Sequence, residues 1–255
     1  VGHLENDYVI STPELYKYQF DKNLVKTLKK IFGDDIYMMN DFNLQFNNPD
    51  NRGKDAGWHT DANSEQARYV PYLNYNNYQF CKVGIFLQEN SIEFGGGIDV
   101  EIGGHHSYRD TNNRILNLIL YRIDRLFLSK FRKRIRVPIE AGDCVIFDSR
   151  LPHASSKPLL SQEQIPMENK KITLYYDVAG NIVDAERFYL NSCIRVFTSD
   201  ESASKFFTSY LRYCFPNSYP EPYIKSANSI PGSHIYSLSQ DKAEVFNKLY
   251  QTLEE

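Results

Sequence analysis

Closely spaced cysteines, an excess of positive charge and long apolar runs are all missing from this 255-residue chain. The four cysteines, Cys81, Cys144, Cys193 and Cys214, form no CxxC pair, which argues against a zinc ribbon or a dithiol redox motif. A chain of this length builds its core without disulfides, so a reducing, cytoplasmic setting is expected. The formal net charge is −3, and no global positive field draws the chain to nucleic acid or to an acidic membrane. The nearest approach to a membrane span, Leu116 to Leu128, is broken by Arg122, Asp124 and Arg125. It falls short of the roughly 20 apolar residues that a span needs. The opening residues VGHLENDYVIS hold no basic stretch followed by an apolar one, so no secretory signal is expected.

Aromatic residues are plentiful, with 19 Tyr and 16 Phe against 3 Met. They suit pleated, half-buried surfaces and lean toward a β-rich fold. The spacing of Leu24, Leu28 and Ile31 predicts a helix that Gly33 stops, within a helical N-terminal segment 11–33 opened by Ser11, Thr12 and Pro13. Strands are expected at 36–46, 80–88, 98–102, 137–139, 144–149, 171–178 and 186–197, and helical spacing returns over 112–130. After Asp200 a helix is expected to about Tyr213, then a loop over 216–233 and an amphipathic helix over 240–253 behind Ser239. A block of strands joined by short turns argues for an antiparallel sandwich or barrel. The chain reads as a single domain, 1–255, with its core at about 36–197 and a helical C-terminal extension at 199–255.

The sharpest local feature is Gly57-Trp58-His59-Thr60-Asp61. On a strand, residues two apart share a face, so His59 and Asp61 can reach one metal. His153, in Leu151-Pro152-His153 just past a strand, is the best third ligand. Two imidazoles and a carboxylate on one face leave three positions open, the facial arrangement of non-haem Fe(II) oxygenases. Zinc favours a closed tetrahedron, or three ligands and a water. A 2-oxo acid fills two of the open positions and O2 the third, while the protein orients the reactants and excludes water. An HxD triplet also occurs as a simple loop hydrogen bond. His3, His105, His106 and His234 read as surface or supporting residues.

Four ordered elements surround this constellation: Trp58-His59-Thr60-Asp61; Val83 to Gln88 followed by Phe94 to Ile98; Glu101 to Ser107; and Ile139 to Phe147 followed by Pro152-His153. Over about Asn40 to Val178 the set resembles the phytanoyl-CoA dioxygenase family of Fe(II)/2-oxoglutarate-dependent oxygenases. The first element resembles the family's metal-binding W-H-x-D, and the second its strand, Asn-Gly turn and strand. The third resembles its P-G-S-H loop, with Ile102 standing for Pro and Gly104 for Ser. The fourth resembles its G-D turn, strand and distal histidine. The resemblance implies a mainly β fold, a double-stranded β-helix (jelly roll, cupin-like) flanked by N- and C-terminal helices. It implies Fe(II) as the metal, with 2-oxoglutarate and O2 as cosubstrates.

The resemblance further implies a basic residue on the strand after the distal histidine, holding the far carboxylate of 2-oxoglutarate. Lys171 is the first choice, Lys170 the second and Arg150 a fallback, with Thr173 adding a hydroxyl. Lys in place of Arg gives up bidentate geometry and keeps the charge. Gln88 is expected to touch the cosubstrate or the substrate. Family members that halogenate carry a small residue where Asp61 stands. Hydroxylation of an unactivated C–H of a small or carrier-linked substrate is therefore expected here, with 2-oxoglutarate decarboxylated to succinate. Asn43 and Gln45 are candidates to face the pocket, Trp58 to pack behind the metal strand, and Tyr69, Tyr72, Tyr75 and Tyr78 to form a lid. The competing readings are a metal-dependent cupin-like isomerase, epimerase or lyase, and a non-catalytic ligand-binding jelly roll.

Overall fold

A computed structural model describes residues 2–4, 6–39, 42–47, 57–61, 79–107, 114–166, 169, 171–198, 213 and 218–254. Its strands are β1 Gly2–Leu4, β2 Ile36–Met38, β3 Asn43–Asn47, β4 Phe80–Phe86, β5 Ile98–Glu101, β6 Arg134–Arg136, β7 Cys144–Asp148, β8 His153–Ser155, β9 Lys171–Ala179 and β10 Ser233–Ile235. Its α-helices are α1 Asn6–Ser11, α2 Pro13–Tyr16, α3 Lys22–Phe32, α4 Arg114–Leu126, α5 Ile182–Thr198, α6 Glu221–Asn228 and α7 Gln240–Glu254. Contacts divide the chain into two compact units, Val1–His3 with Leu44–Tyr175, and Leu4–Asn43 with Tyr176–Glu255.

The first unit is a jelly roll. Its β4, FCKVGIF, is apolar apart from Lys82, as a strand buried on both faces should be. It runs antiparallel to β7, from Cys81 opposite Asp148 to Ile85 opposite Cys144. On its other side the Leu87 N–H donates to the Ile172 carbonyl at 2.9 Å, which sets the start of β9 beside it. A second sheet runs β6-β5-β8. Phe86 and Phe147 from the first sheet meet Ile98 and Val100 from the second, together with Ile139, in one buried cluster. Each such side chain contributes about 1.5–3 kcal/mol by leaving water. The turn into β5 needs positive φ at Gly95 (66°) and Gly96 (84°), which glycine adopts without strain.

The second unit is mainly helical. The helical segment expected at 11–33 holds α2 and α3, and α1 precedes it. Asp21 caps α3 by accepting the N–H groups of Asn23 and Leu24, and Gly33 ends it with φ 107°. Tyrosine fills this unit's core: Tyr16 and Phe20 meet Tyr223 edge to face, and the Tyr223 hydroxyl donates to buried Gln19 at 2.5 Å. Strand β2 runs parallel to β10 and antiparallel to the end of β9.

Several expectations are corrected. The strand expected at 186–197 is helix α5, because Ala185, Tyr189 and Cys193 recur at helical spacing on its buried face. Asn181 starts it, its Oδ1 accepting the Asp184 N–H at 2.8 Å. The single strand expected at 36–46 is two, β2 and β3. The loop expected at 216–233 carries α6 and the first residue of β10, and the strand expected at 137–139 lies at 134–136. The helix expected from Asp200 falls mostly outside the described residues, as do Tyr69, Tyr72, Tyr75 and Tyr78.

Candidate metal centre

His59 and His153 meet through the backbone before they meet through side chains. They form an antiparallel bridge in which each N–H donates to the other's carbonyl, at 3.0 and 2.9 Å. A hydrogen-bonded antiparallel pair puts both side chains on one face, and here the two rings lie 4.4 Å apart. Asp61, two residues on, joins them. One ligand atom from each of His59, Asp61 and His153 lies within 4.8 Å of the others, and among the described residues this is the one such trio.

The separations suit a shared cation. His59 Nε2 is 3.9 Å from Asp61 Oδ1, and His153 Nε2 is 3.7 Å from Asp61 Oδ2. These are too long for hydrogen bonds, and a shared ion would draw the three donors inward, since donors bound at about 2.1 Å on one octahedral face stand about 3 Å apart. Each imidazole is oriented by its other nitrogen: Nδ1 of His59 lies 2.9 Å from the Gly57 carbonyl and Nδ1 of His153 lies 3.0 Å from that of Leu151. A proton on each Nδ1 leaves both Nε2 lone pairs turned to the centre. Burial holds the His153 imidazole below the usual histidine range, partly opposed by the Asp61 carboxylate. The neutral, ligating form is thereby favoured. The donor set of two imidazoles and one carboxylate fits Fe(II) with open positions.

Lys171 and Thr173 lie on one face of β9 and are fully buried. The Lys171 ammonium sits 5.5 Å from the Tyr175 ring centroid and 6.0 Å from that of Phe86. It has no carboxylate partner among the described residues, and the Thr173 hydroxyl makes no hydrogen bond there. Gly96 leaves room for the lysine stem, since a Cβ at that position would stand 3.4 Å from Lys171 Cβ. Arg150 is committed elsewhere, with a two-pronged pair to Asp148 at 3.0 and 2.6 Å. Lys170 lies outside the described residues. Gln88, just past β4, is partly buried, and its carbonyl accepts from the Asn90 side chain. Asn43 and Gln45 alternate with buried Leu44 on β3.

Three residues near the centre escaped the sequence reading. Lys82 places its ammonium 3.9 Å from Asp61 Oδ2. Its signal was legible, one lysine in an otherwise apolar strand. Arg134 lies 4.3 Å over the ring of Trp58, next to His59. Fully buried Glu101 accepts from Arg132 at 3.1 Å and Arg134 at 3.3 Å, and its own N–H donates to the carbonyl of Pro152, next to His153. Both histidine-bearing segments therefore rest on one ionic support. His234 pairs with Asp35 at 3.0 Å and stacks on Tyr37, a local structural role.

Residues 3–159 match the family model described as Phytanoyl-CoA dioxygenase (PhyH). No curated protein matches the sequence. Among solved structures the chain is similar to EvdMO1, at 19% identity and TM-score 0.46, covering 69% of this chain and 35% of that one. It is similar to AviO1 from Streptomyces viridochromogenes Tue57, at 14% and 0.46, covering 69% and 66%. It is also similar to EctD from S. alaskensis with bound Fe, at 16% and 0.47, covering 66% and 53%. The chain thus spans less than two thirds of each of those chains. With more than half its length matched to one family model, this chain belongs to the phytanoyl-CoA dioxygenase family of Fe(II)/2-oxoglutarate-dependent oxygenases.

Proposed function

We propose that this protein hydroxylates an unactivated C–H bond of a small or carrier-linked substrate, using Fe(II), 2-oxoglutarate and O2. The observation that carries this reading is the convergence of His59, Asp61 and His153 from distant parts of the chain onto one face. When bound, Fe(II) and 2-oxoglutarate supply the oxidising step, in which the cosubstrate loses CO2 and becomes succinate. The chain's own residues do the rest. His59, Asp61 and His153 would hold the iron and leave room on it for the cosubstrate and O2. Lys171, a buried cation without a carboxylate partner among the described residues, receives the far carboxylate of 2-oxoglutarate, and Thr173 on the same face offers it a hydroxyl. Lys82 holds one oxygen of Asp61 in place. Retention of the carboxylate at position 61 favours hydroxylation over halogenation. A reducing, cytoplasmic setting fits the unbridged thiols of Cys81, Cys144 and Cys193.

The test is anaerobic addition of Fe(II) and 2-oxoglutarate to the purified protein. A weak visible charge-transfer band that vanishes in His153→Ala is the expected outcome. Iron that binds without producing the band points to a cupin-like isomerase or lyase. Failure to bind iron leaves the non-catalytic jelly roll.

A further inference from the structure

Helix α4 turns its apolar stripe the wrong way for a helix packed on its own protein. At 100° per residue, Leu116, Ile119, Ile123, Leu126 and Phe127 fall within a stripe about 100° wide. Such a stripe normally faces the core. Here the five side chains are 42% to 61% exposed, and Phe131, in the turn that follows, is 88% exposed. The orientation is fixed from the flank of the helix. Asp124 is buried and receives two hydrogen bonds from the Arg132 guanidinium, and Arg132 also reaches buried Glu101. Rotating the stripe inward would break that ion pair.

The charge around the stripe is as unusual as the stripe. Residues 114–136 carry eight arginines and lysines against one acid, Asp124. That is a net of +7 in a chain whose total is −3, leaving −10 for the remainder. Arg132, Arg134 and Arg136 are paired with Asp124, Glu101 and Asp99. Arg122, Lys130 and Lys133 are exposed and make no ion pair among the described residues. The overall negative charge therefore conceals a strongly basic apolar face.

We propose that α4 and the turn to Phe131 seat this protein on anionic phospholipid membranes. An exposed apolar stripe bordered by exposed cations fits a bilayer surface, with apolar side chains among the acyl chains and Lys130 and Lys133 at the head groups. Nucleic acid satisfies the cations and leaves the stripe in water. A second copy of the chain brings the same +7 segment against itself. Crossing the bilayer is ruled out for α4, because its 13 residues reach about 20 Å against a hydrocarbon thickness of about 30 Å. The helix lies in the interface. This inference does not depend on the metal centre.

The test is flotation of the full chain with vesicles of phosphatidylcholine alone and of phosphatidylcholine with phosphatidylserine. Binding to the serine-containing vesicles is expected at low salt, and it weakens as salt rises. Reversing Lys130 and Lys133 to Glu lowers the partition coefficient at least about 25-fold, near fivefold for each cation lost. Ile123→Asp with Phe127→Asp removes the binding; both sites are exposed, and an unchanged circular dichroism spectrum shows that the fold survives. Equal binding to the two vesicle types, or binding that the variants leave intact, overturns the proposal. So does self-association in sedimentation velocity that only the Asp variants abolish, which assigns the face to a second copy.

Discussion

Lys171 and Phe131 depart from the ordinary rules of burial in opposite directions. Lys171 is 2% exposed in β9, and Phe131 is 88% exposed after α4. Lysine is almost never fully buried unless paired, and lone exposed apolar residues are common. The informative cases are therefore the buried cation with no carboxylate partner among the described residues and the exposed residues that cluster. At β9 the fold holds a charge away from water, and at α4 it holds apolar surface in water. Each is unfavourable in the isolated chain, and each would become favourable on binding what is proposed for it: an anion at Lys171, a membrane surface at α4.

The sharpest way to break this comparison is Lys171→Met. Methionine keeps most of the volume and removes the buried charge. The apparent affinity for 2-oxoglutarate is expected to fall by about 100-fold, the size of a lost charge-assisted contact. Ligand-free stability is expected to rise by about 1–3 kcal/mol, because the desolvation penalty disappears. Titration of 2-oxoglutarate and thermal unfolding read the two effects separately. A variant that loses stability and keeps its affinity would place Lys171 among ordinary packing residues and move the anchor to Lys170.

Gly104→Ser probes the support of the centre rather than its ligands, with a smaller effect. Serine is the residue that the resemblance leads one to expect there. A Cβ at Gly104 would stand 2.3 Å from Cδ of Pro152, the neighbour of His153. Overpacking of this kind costs about 1–3 kcal/mol. Chemical denaturation should show that loss together with weaker iron binding. Unchanged stability would mean that the Pro152 ring moves aside freely, so that the departure from the family pattern carries no packing reason.

The candidate site was more legible in the sequence than the fold around it. His59 and Asp61 were readable because strand periodicity puts neighbours two apart on one face, a local rule. His153 and Lys171 needed long-range pairing, and the order of motifs stood in for it. Lys82 and Glu101 were missed because their meaning depends on what lies across the sheet: Lys82 near Asp61, Glu101 opposite Arg134. In the fold, Glu186 to Phe197 misled because its β-branched and aromatic residues suit strands, yet Ala185, Tyr189 and Cys193 pack at helical spacing. Tyrosine content pointed to strands, and much of it fills the helical second unit, where edge-to-face contacts decide its place. For α4 the period was readable and the direction was not. Periodicity says that a stripe exists, and only the Asp124–Arg132 pair says which way it faces.

That direction yields the smallest expected effect and the cleanest contrast. Phe127, the residue just past α4, and Phe86 on β4 are the same residue type in the same unit. Phe86 is 0% exposed in the cluster between the sheets, and Phe127 is 61% exposed. An aspartate at 86 leaves an unpaired carboxylate and a cavity in the core, and the protein is expected not to fold. An aspartate at 127 replaces exposed apolar surface, so its stability should stay within about 0.5 kcal/mol of the parent in urea unfolding without lipid. A loss of several kcal/mol at 127 would mean that α4 packs its stripe against its own chain in solution. The membrane surface would then have nothing to bind, while the metal centre, built from β8 and the 57–61 segment, would be unaffected.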